Sequence, residues 1–260
     1  MSFIGLITDW QQNDFYLGAM KGFIYSKLPD THIIDINHTI SHHNIFQAAF
    51  VLKACYTDFP EGTIFIIGVK SYADGPNGYI CFKYKNRYII SSDNGFFSLF
   101  TEDSFELAIK LEITSSTFPE KDIFANYACK IAMDDNLENI GSVITESNIV
   151  KNYYPMLEKT SITGTVMYID NFGNAITNIS QELFDRIRKN RKFTIFPGNN
   201  DFPINTISSG YGGYEDAELI ALFNSLNLLE IANINISASQ YIKLEVKTNI
   251  RIQFYDTSNS

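Results

Sequence analysis

Over the first half of the chain, solid apolar runs alternate with stretches whose apolar residues recur at helical spacing. Phe3-Ile4-Gly5-Leu6-Ile7, Thr31-His32-Ile33-Ile34-Asp35-Ile36 and Thr63-Ile64-Phe65-Ile66-Ile67-Gly68-Val69 read as buried strands. Between them the pattern predicts a helix over 15–27. It predicts a second helix capped by Asn44, with Ile45, Ala48, Ala49, Leu52 and Cys55 on its apolar face. Pro60-Glu61-Gly62 turns the chain into the third strand. Strands joined through helices imply an α/β fold, a mostly parallel sheet with helices on both faces. Tyr79 to Tyr84 and Arg87 to Ser91 then predict a hairpin turning at Lys85-Asn86, and a helix at about 121–134 closes this half.

The pattern then changes. Residues 140–160 are polar and irregular, and beyond them short alternating segments dominate: Ser161 to Val166, Lys192 to Phe196 and Tyr241 to Val246. Such alternation predicts a smaller C-terminal antiparallel domain, barrel-like or sandwiched. The expected division is an α/β domain over 1–157 and a β domain over 158–260.

Composition narrows the partners. The 260 residues are 45% hydrophobic and 19% charged, with a formal net charge of −9. That balance describes an ordinary globular protein and gives no basic footprint for nucleic acid. Cys55, Cys81 and Cys129 are widely spaced and odd in number, in neither a zinc spacing nor a disulfide framework, which predicts a reducing, cytoplasmic setting. The start of the chain lacks the basic flank and long apolar run of a secretory signal, and no stretch has the length of a membrane span.

Candidate chemistry begins at Thr8-Asp9-Trp10-Gln11-Gln12-Asn13-Asp14-Phe15-Tyr16. Asp9 and Asp14 fall at the carboxyl end of the first strand, the edge where open α/β sheets bind ligands. Helix N-termini favour anions, so two acids there suit ligand hydroxyls and amines rather than phosphate. Helix capping by Asp14 is the structural alternative. Gly210-Tyr211-Gly212-Gly213 lacks the strand-to-helix context and the lysine of a phosphate cradle. His38, His42 and His43 have no second cluster of ligands to make a metal site. Ser91-Ser92-Asp93-Asn94-Gly95 reads as a turn. Asp170-Asn171-Phe172-Gly173-Asn174-Ala175-Ile176-Thr177-Asn178 is richer in polar groups than a strand connection needs. A Phe among Asx residues suits a heteroaromatic ring, stacked on its face and hydrogen-bonded on its edge, although an Asx-rich turn has the same spacing.

Several short segments recur here in a fixed order. They are Thr8-Asp9 with Asp14, Tyr16 and Met20-Lys21-Gly22; Ile34-Asp35-Ile36 with His38; Ala48-Ala49-Phe50; and Phe59 to Thr63. Asp93-Asn94-Gly95, Asp122 to Ala125, Phe172-Gly173-Asn174, Ile176-Thr177-Asn178 and Glu218 to Phe223 continue the series. Over nearly its whole length the chain therefore resembles the S-adenosylmethionine hydrolase (hydroxide adenosyltransferase) family, related to fluorinase and chlorinase. The resemblance implies an N-terminal α/β nucleoside-binding domain, a C-terminal β domain and a homotrimer with active sites between subunits. It implies S-adenosylmethionine as substrate or ligand, with no cofactor and no metal.

Carried over by position, Asp9 would hold the ribose hydroxyls and Asp14 the methionine amino group. His43 stands where halogenating relatives place a stacking Trp, and Phe118 would line the pocket. From the neighbouring subunit, Asp170 would meet the methionine end, while Phe172 and Asn174 would meet adenine. Ser225 matches a serine on the methionine carboxylate, and the arginine after it in the halogenases is Leu226 here. The implied reaction is displacement at ribose C5′, where the protein aligns the nucleophile and strips its water.

Hydrolases of the family use an Asp, an Arg and a His beside the attacking water. Here Lys70, Asn77 and Pro119 replace them, and Glu120 replaces the halogenases' serine. Three readings follow. Lys70, Asn77 and Glu120 form a diverged catalytic set, with Lys70 a neutral base tuned by Glu120 and water as nucleophile. Alternatively the chain is a silent binder of adenosine or S-adenosylmethionine, or an assembly protein with a vestigial pocket.

Overall fold

The computed structural model describes residues 2–11, 14–73, 75–112, 115–134, 136–199 and 201–256; Gln12 and Asn13 of the segments above lie outside them. The chain forms two compact units, Met1–Asn152 and Tyr153–Ser260. The first contains β1 (Phe3–Thr8), α1 (Phe15–Lys27), β2 (His32–Asn37), α2 (Ile45–Cys55), β3 (Ile64–Gly68), β4 (Tyr79–Tyr84) and β5 (Arg87–Ser92). After these come α3 (Phe96–Phe100), β6 (Leu107–Lys110), α4 (Asn126–Met133) and β7 (Ser142–Val143). The strands make one sheet in the order β2-β1-β3-β5-β4-β6-β7. Pairing is parallel from β2 through β5 and antiparallel from β4 outward.

Alternation along β1 explains why both faces are covered. Ile4 and Leu6 pack with Met20 and Ile24 of α1 and with Ala128 of α4. Ile7 points the other way, towards Ala48 and Leu52 of α2 and Phe96 and Phe100 of α3. The expected α/β sheet with helices on both faces is therefore present. Asn44 caps α2, its side chain accepting from the Gln47 N–H at 3.0 Å. The hairpin turns at Lys85-Asn86 with φ of 46° and 56°, the paired left-handed conformations that match strand twist. The helix expected over 121–134 has two parts: Glu120–Ala125 winds as a π-helix before α4 begins.

The second unit holds β8 (Met156–Leu157), β9 (Ser161–Ile169), β10 (Ala175–Ser180), α5 (Gln181–Arg188) and β11 (Lys192–Pro197). It continues with β12 (Leu219–Phe223), β13 (Leu228–Asn233), α6 (Ala238–Tyr241) and β14 (Asn249–Tyr255). Its sheet runs β11-β14-β9-β10-β13-β12 with antiparallel pairing throughout, and β8 adds to β9. Ile162, Val166, Phe184, Ile195, Ile231 and Ile252 build its core, giving the expected smaller antiparallel domain.

One segment departs from expectation. Tyr241–Val246 is not a strand. Ser237 caps the short α6 by accepting from the Gln240 N–H at 3.2 Å, and Lys243 turns the chain with a φ of 55°. Ile242 and Leu244 are buried from a turn, which imitates strand alternation.

Cys55, Cys81 and Cys129 are free thiols. Among the described residues no helix is long and apolar enough to cross a membrane, and no group of His, Cys, Asp or Glu could hold a metal ion.

Candidate functional site

At the carboxyl end of β1 the chain leaves the sheet through Asp9, and a relay of polar contacts fixes where it goes. Thr8 Oγ1 lies 2.8 Å from His38 Nδ1, and His38 Nε2 lies 3.0 Å from Asp35 Oδ1. Lys21 Nζ donates to Asp35 Oδ2 at 2.5 Å. These contacts tie the ends of β1 and β2 together and give His38 a structural role. Asp9, only 8% exposed, accepts the His43 backbone N–H on Oδ2 at 2.9 Å. His43 adopts a left-handed backbone (φ 63°) and keeps its ring largely in solvent, with Nδ1 4.0 Å from the same oxygen. Asp14, exposed, caps α1 by accepting from the Phe15 N–H at 2.7 Å.

A cavity of about 490 Å³ opens beside Asp9, bordered by His43, Lys70, Ser71, Phe118 and Glu120. Its wall is aromatic. Trp10 and Phe118 meet edge-to-face at 5.3 Å, as do Tyr16 and Phe118 at 5.0 Å. Glu120 opens the π-helix and is 8% exposed. A π-turn inside a helix is a frequent mark of a functional site. Burial pushes the Glu120 carboxyl above the usual carboxylate range, and the Asp9 charge adds to the shift. The polar groups facing it, its own backbone N–H and the side chains of Ser71 and Trp10, oppose the rise. Gly68, at the end of β3, lets these groups close up: a methyl there would press on Glu120 Cγ and Trp10 Cζ2 at 3.3 Å.

Lys70, half-buried, follows β3 in a left-handed backbone with φ 50°. Asn94 Nδ2 holds that strand end by donating to the carbonyls of Val69 at 3.2 Å and Lys70 at 3.1 Å. Asn77 is placed differently. Its Nδ2 donates to Asp93 Oδ2 at 2.8 Å and to the Glu146 carbonyl at 2.9 Å, and it does not border the cavity. Asp93 also accepts the Asn148 N–H at 2.8 Å, so Asp93-Asn94 is a hub that organises three loops.

In the second unit, the Asp170–Asn174 connection folds on its own carboxylate. Asp170 Oδ1 accepts the Phe172 and Asn174 N–H groups at 2.9 Å, and Oδ2 accepts Asn174 Nδ2 at 3.0 Å. This is the Asx turn, and it leaves Phe172 79% exposed over a cavity of about 620 Å³. Asn174, Tyr211, Asn233 and Ser237 also border that cavity. Tyr211 donates to the buried Glu230 at 2.5 Å, and Asn224 Nδ2 donates to the other Glu230 oxygen at 3.0 Å. Ser225 is exposed in the turn between β12 and β13, outside the cavity lining.

Sequence reasoning thus finds Asp9, His43, Lys70, Phe118 and Glu120 in one cavity, and Asp170, Phe172 and Asn174 in another. It misses Trp10 and Ser71 in the first, and Tyr211 and Asn233 in the second. Trp10 is the chain's single tryptophan and adjoins Asp9, a usable signal. Tyr211 lies in the glycine-rich stretch set aside as a failed phosphate loop. The chemistry on offer in the first cavity is a pair of buried carboxylates within aromatic walls. That combination suits a ligand carrying hydroxyls and a poorly hydrated cation.

Comparison with known proteins agrees over most of the chain. The family profile described as "SAM hydroxide adenosyltransferase N-terminal domain" matches residues 4–141, and its C-terminal counterpart matches residues 164–251. A Methanocaldococcus jannaschii protein named (R)-S-adenosyl-L-methionine hydrolase is 29% identical over 194 residues, covering 70% of this chain and 68% of the relative. A Thermus thermophilus protein of the same name is 22% identical over 261 residues, covering 95% of this chain and 97% of the relative. Among solved structures, an uncharacterized conserved protein from Thermotoga maritima superposes with a TM-score of 0.88 at 28% identity. That match covers 96% of this chain and 99% of the other.

Proposed function

Since this chain belongs to the S-adenosylmethionine hydroxide adenosyltransferase family, we propose that it hydrolyses S-adenosylmethionine to adenosine and methionine. The observation that carries this reading is the buried Asp9–Glu120 pair in one aromatic-walled cavity. A water oxygen bonds to ribose C5′ while the C5′–S bond breaks, its electron pair passing to sulfur. Methionine leaves as a neutral thioether and needs no acid. The proton lost by the attacking water passes to Glu120, whose burial makes its carboxylate a stronger base than an exposed glutamate. Asp9 holds the ribose hydroxyls. Trp10, Tyr16 and Phe118 exclude water and face the sulfonium. Lys70, half-buried where it borders the cavity, is assigned to the rim.

The same reading gives Asp14 the methionine amino group, His43 a stacking place and Asp170 the methionine end. Phe172 and Asn174 take the adenine, and Ser225 the carboxylate. It sets the reaction in a cytoplasmic homotrimer, with Asp170, Phe172 and Asn174 supplied by a neighbouring protomer. Support comes from Asp9 with Glu120 and Phe172 with Asn174 each bordering a cavity, and from the exposure of Phe172 and Ser225.

A second reading has its own observation. Asn77, the replacement for the family's arginine, is held by Asp93 and the Glu146 carbonyl rather than bordering the cavity. On that reading the chain binds the nucleoside without turning it over. Incubation with S-adenosylmethionine, followed by chromatography for adenosine and methionine, decides between them. Hydrolysis predicts equal accumulation of both products. Their absence together with a ligand-induced rise in melting temperature selects the binder, and absence of both effects removes both readings.

A further inference from the structure

Among the described residues, the cavity of the second unit contains one buried polar side chain without a hydrogen-bond partner. Asn233, the last residue of β13, is 7% exposed and borders the cavity beside Phe172, Asn174 and Tyr211. Neither its Nδ2 nor its Oδ1 has a hydrogen-bond partner. Each of its polar neighbours already has a partner within the protein. Asn174 donates to Asp170, Asp170 accepts three bonds from its own loop, and Tyr211 donates to Glu230. Asn235, two residues on, donates to Asp216. A buried amide keeps its partners in nearly all folded proteins, because losing water without replacement is costly. An unpaired donor and acceptor on one planar group, next to an exposed aromatic ring, call for a flat ligand presenting an acceptor and a donor side by side.

We infer that Asn233 is the base-reading residue of this site, its amide pairing in two places with the adenine edge that carries the exocyclic amine and an adjacent ring nitrogen. This rests on the adenosyl-site reading above and specifies what that site discriminates. Asparagine meets adenine in this geometry because its N–H and C=O match the base's ring nitrogen and amine. Phe172 supplies the stacking surface and Asn233 the selection. A base lacking the amine leaves the Asn233 carbonyl unpaired, which is how a polar site rejects an analogue.

The test uses the full-length protein, titrated calorimetrically with adenosine and with purine riboside, which lacks only the amine. Wild type is expected to favour adenosine by at least about tenfold. Asn233→Leu, close in shape and without hydrogen-bonding groups, is expected to bind both nucleosides alike. Without ligand it should melt no lower than wild type, since no bond is lost. Asn233→Ala repeats the measurement should leucine not be accommodated. Retention of the adenosine preference by the variants overturns the inference, as does a lower melting temperature of both unliganded variants. Wild type binding both nucleosides equally overturns it while leaving the adenosyl site standing. Wild type binding neither removes the underlying reading and this inference together.

Discussion

Burial raises the Glu120 carboxyl above the ordinary glutamate value of 4.5, and its ionised form is the costly one in the folded protein. The sign of the stability effect follows. Below the ordinary value both folded and unfolded chains hold the proton, and Glu120 costs nothing. As pH rises, the unfolded chain ionises first and gains, so the folded state loses stability until its own raised pKa is passed. Glu120→Gln is therefore expected to melt higher than wild type near neutrality, with the difference closing in acid. Hydrolysis by this variant should fall by about 10²- to 10⁴-fold, the usual worth of a general base. Melting curves across pH, paired with the product assay, check both halves; an unchanged rate would remove Glu120 as the base. At the same scale Asp9 and Asp14 look alike in sequence, since both follow one strand. Folding separates them: one is buried against His43 and the other is an exposed cap.

Elements were legible wherever one face decided the pattern. The runs that became β1 and β3 are apolar because helices cover both sides of their sheet. His32–Asn37, read as equally buried, is instead the edge strand β2, and none of its residues is fully buried. The Lys85-Asn86 turn followed from a polar pair lying between two strand-like runs. Tyr241–Val246 misled because a capped helix and a left-handed Lys243 bury Ile242 and Leu244 at strand-like spacing. The Phe172 loop makes the sharpest element-scale prediction. Gly173 has a φ of +85°, and an added Cβ would lie 2.0 Å from Ser237 Oγ and 2.6 Å from Ser237 Cβ. Gly173→Ala is expected to cost about 1–3 kcal/mol in chemical denaturation and to weaken adenosine binding as Phe172 shifts. A variant as stable as wild type would show that this turn tolerates the displacement.

For the whole molecule, the proposed assembly predicts a sedimenting species of three 29.5 kDa chains, and a monomer at working concentration would remove the shared-site reading. Cavity residues adjoining strand ends, such as Asp9 and Asp170, could be found from the sequence because strand ends are where sheets present chemistry. Tyr211 and Asn233 could not. They approach Phe172 from separate strands and loops, and only the folded domain makes them neighbours. The thiols, finally, have a practical consequence. Cys81 and Cys129 are fully enclosed, and burial pushes Cys55 up to about 11, with the Asp58 charge adding to it. Alkylating reagents at neutral pH would therefore meet very little thiolate. One cysteine engineered onto an exposed loop would take a fluorophore almost alone, so the protein can be labelled at a chosen point without first stripping out its natural sulfhydryls.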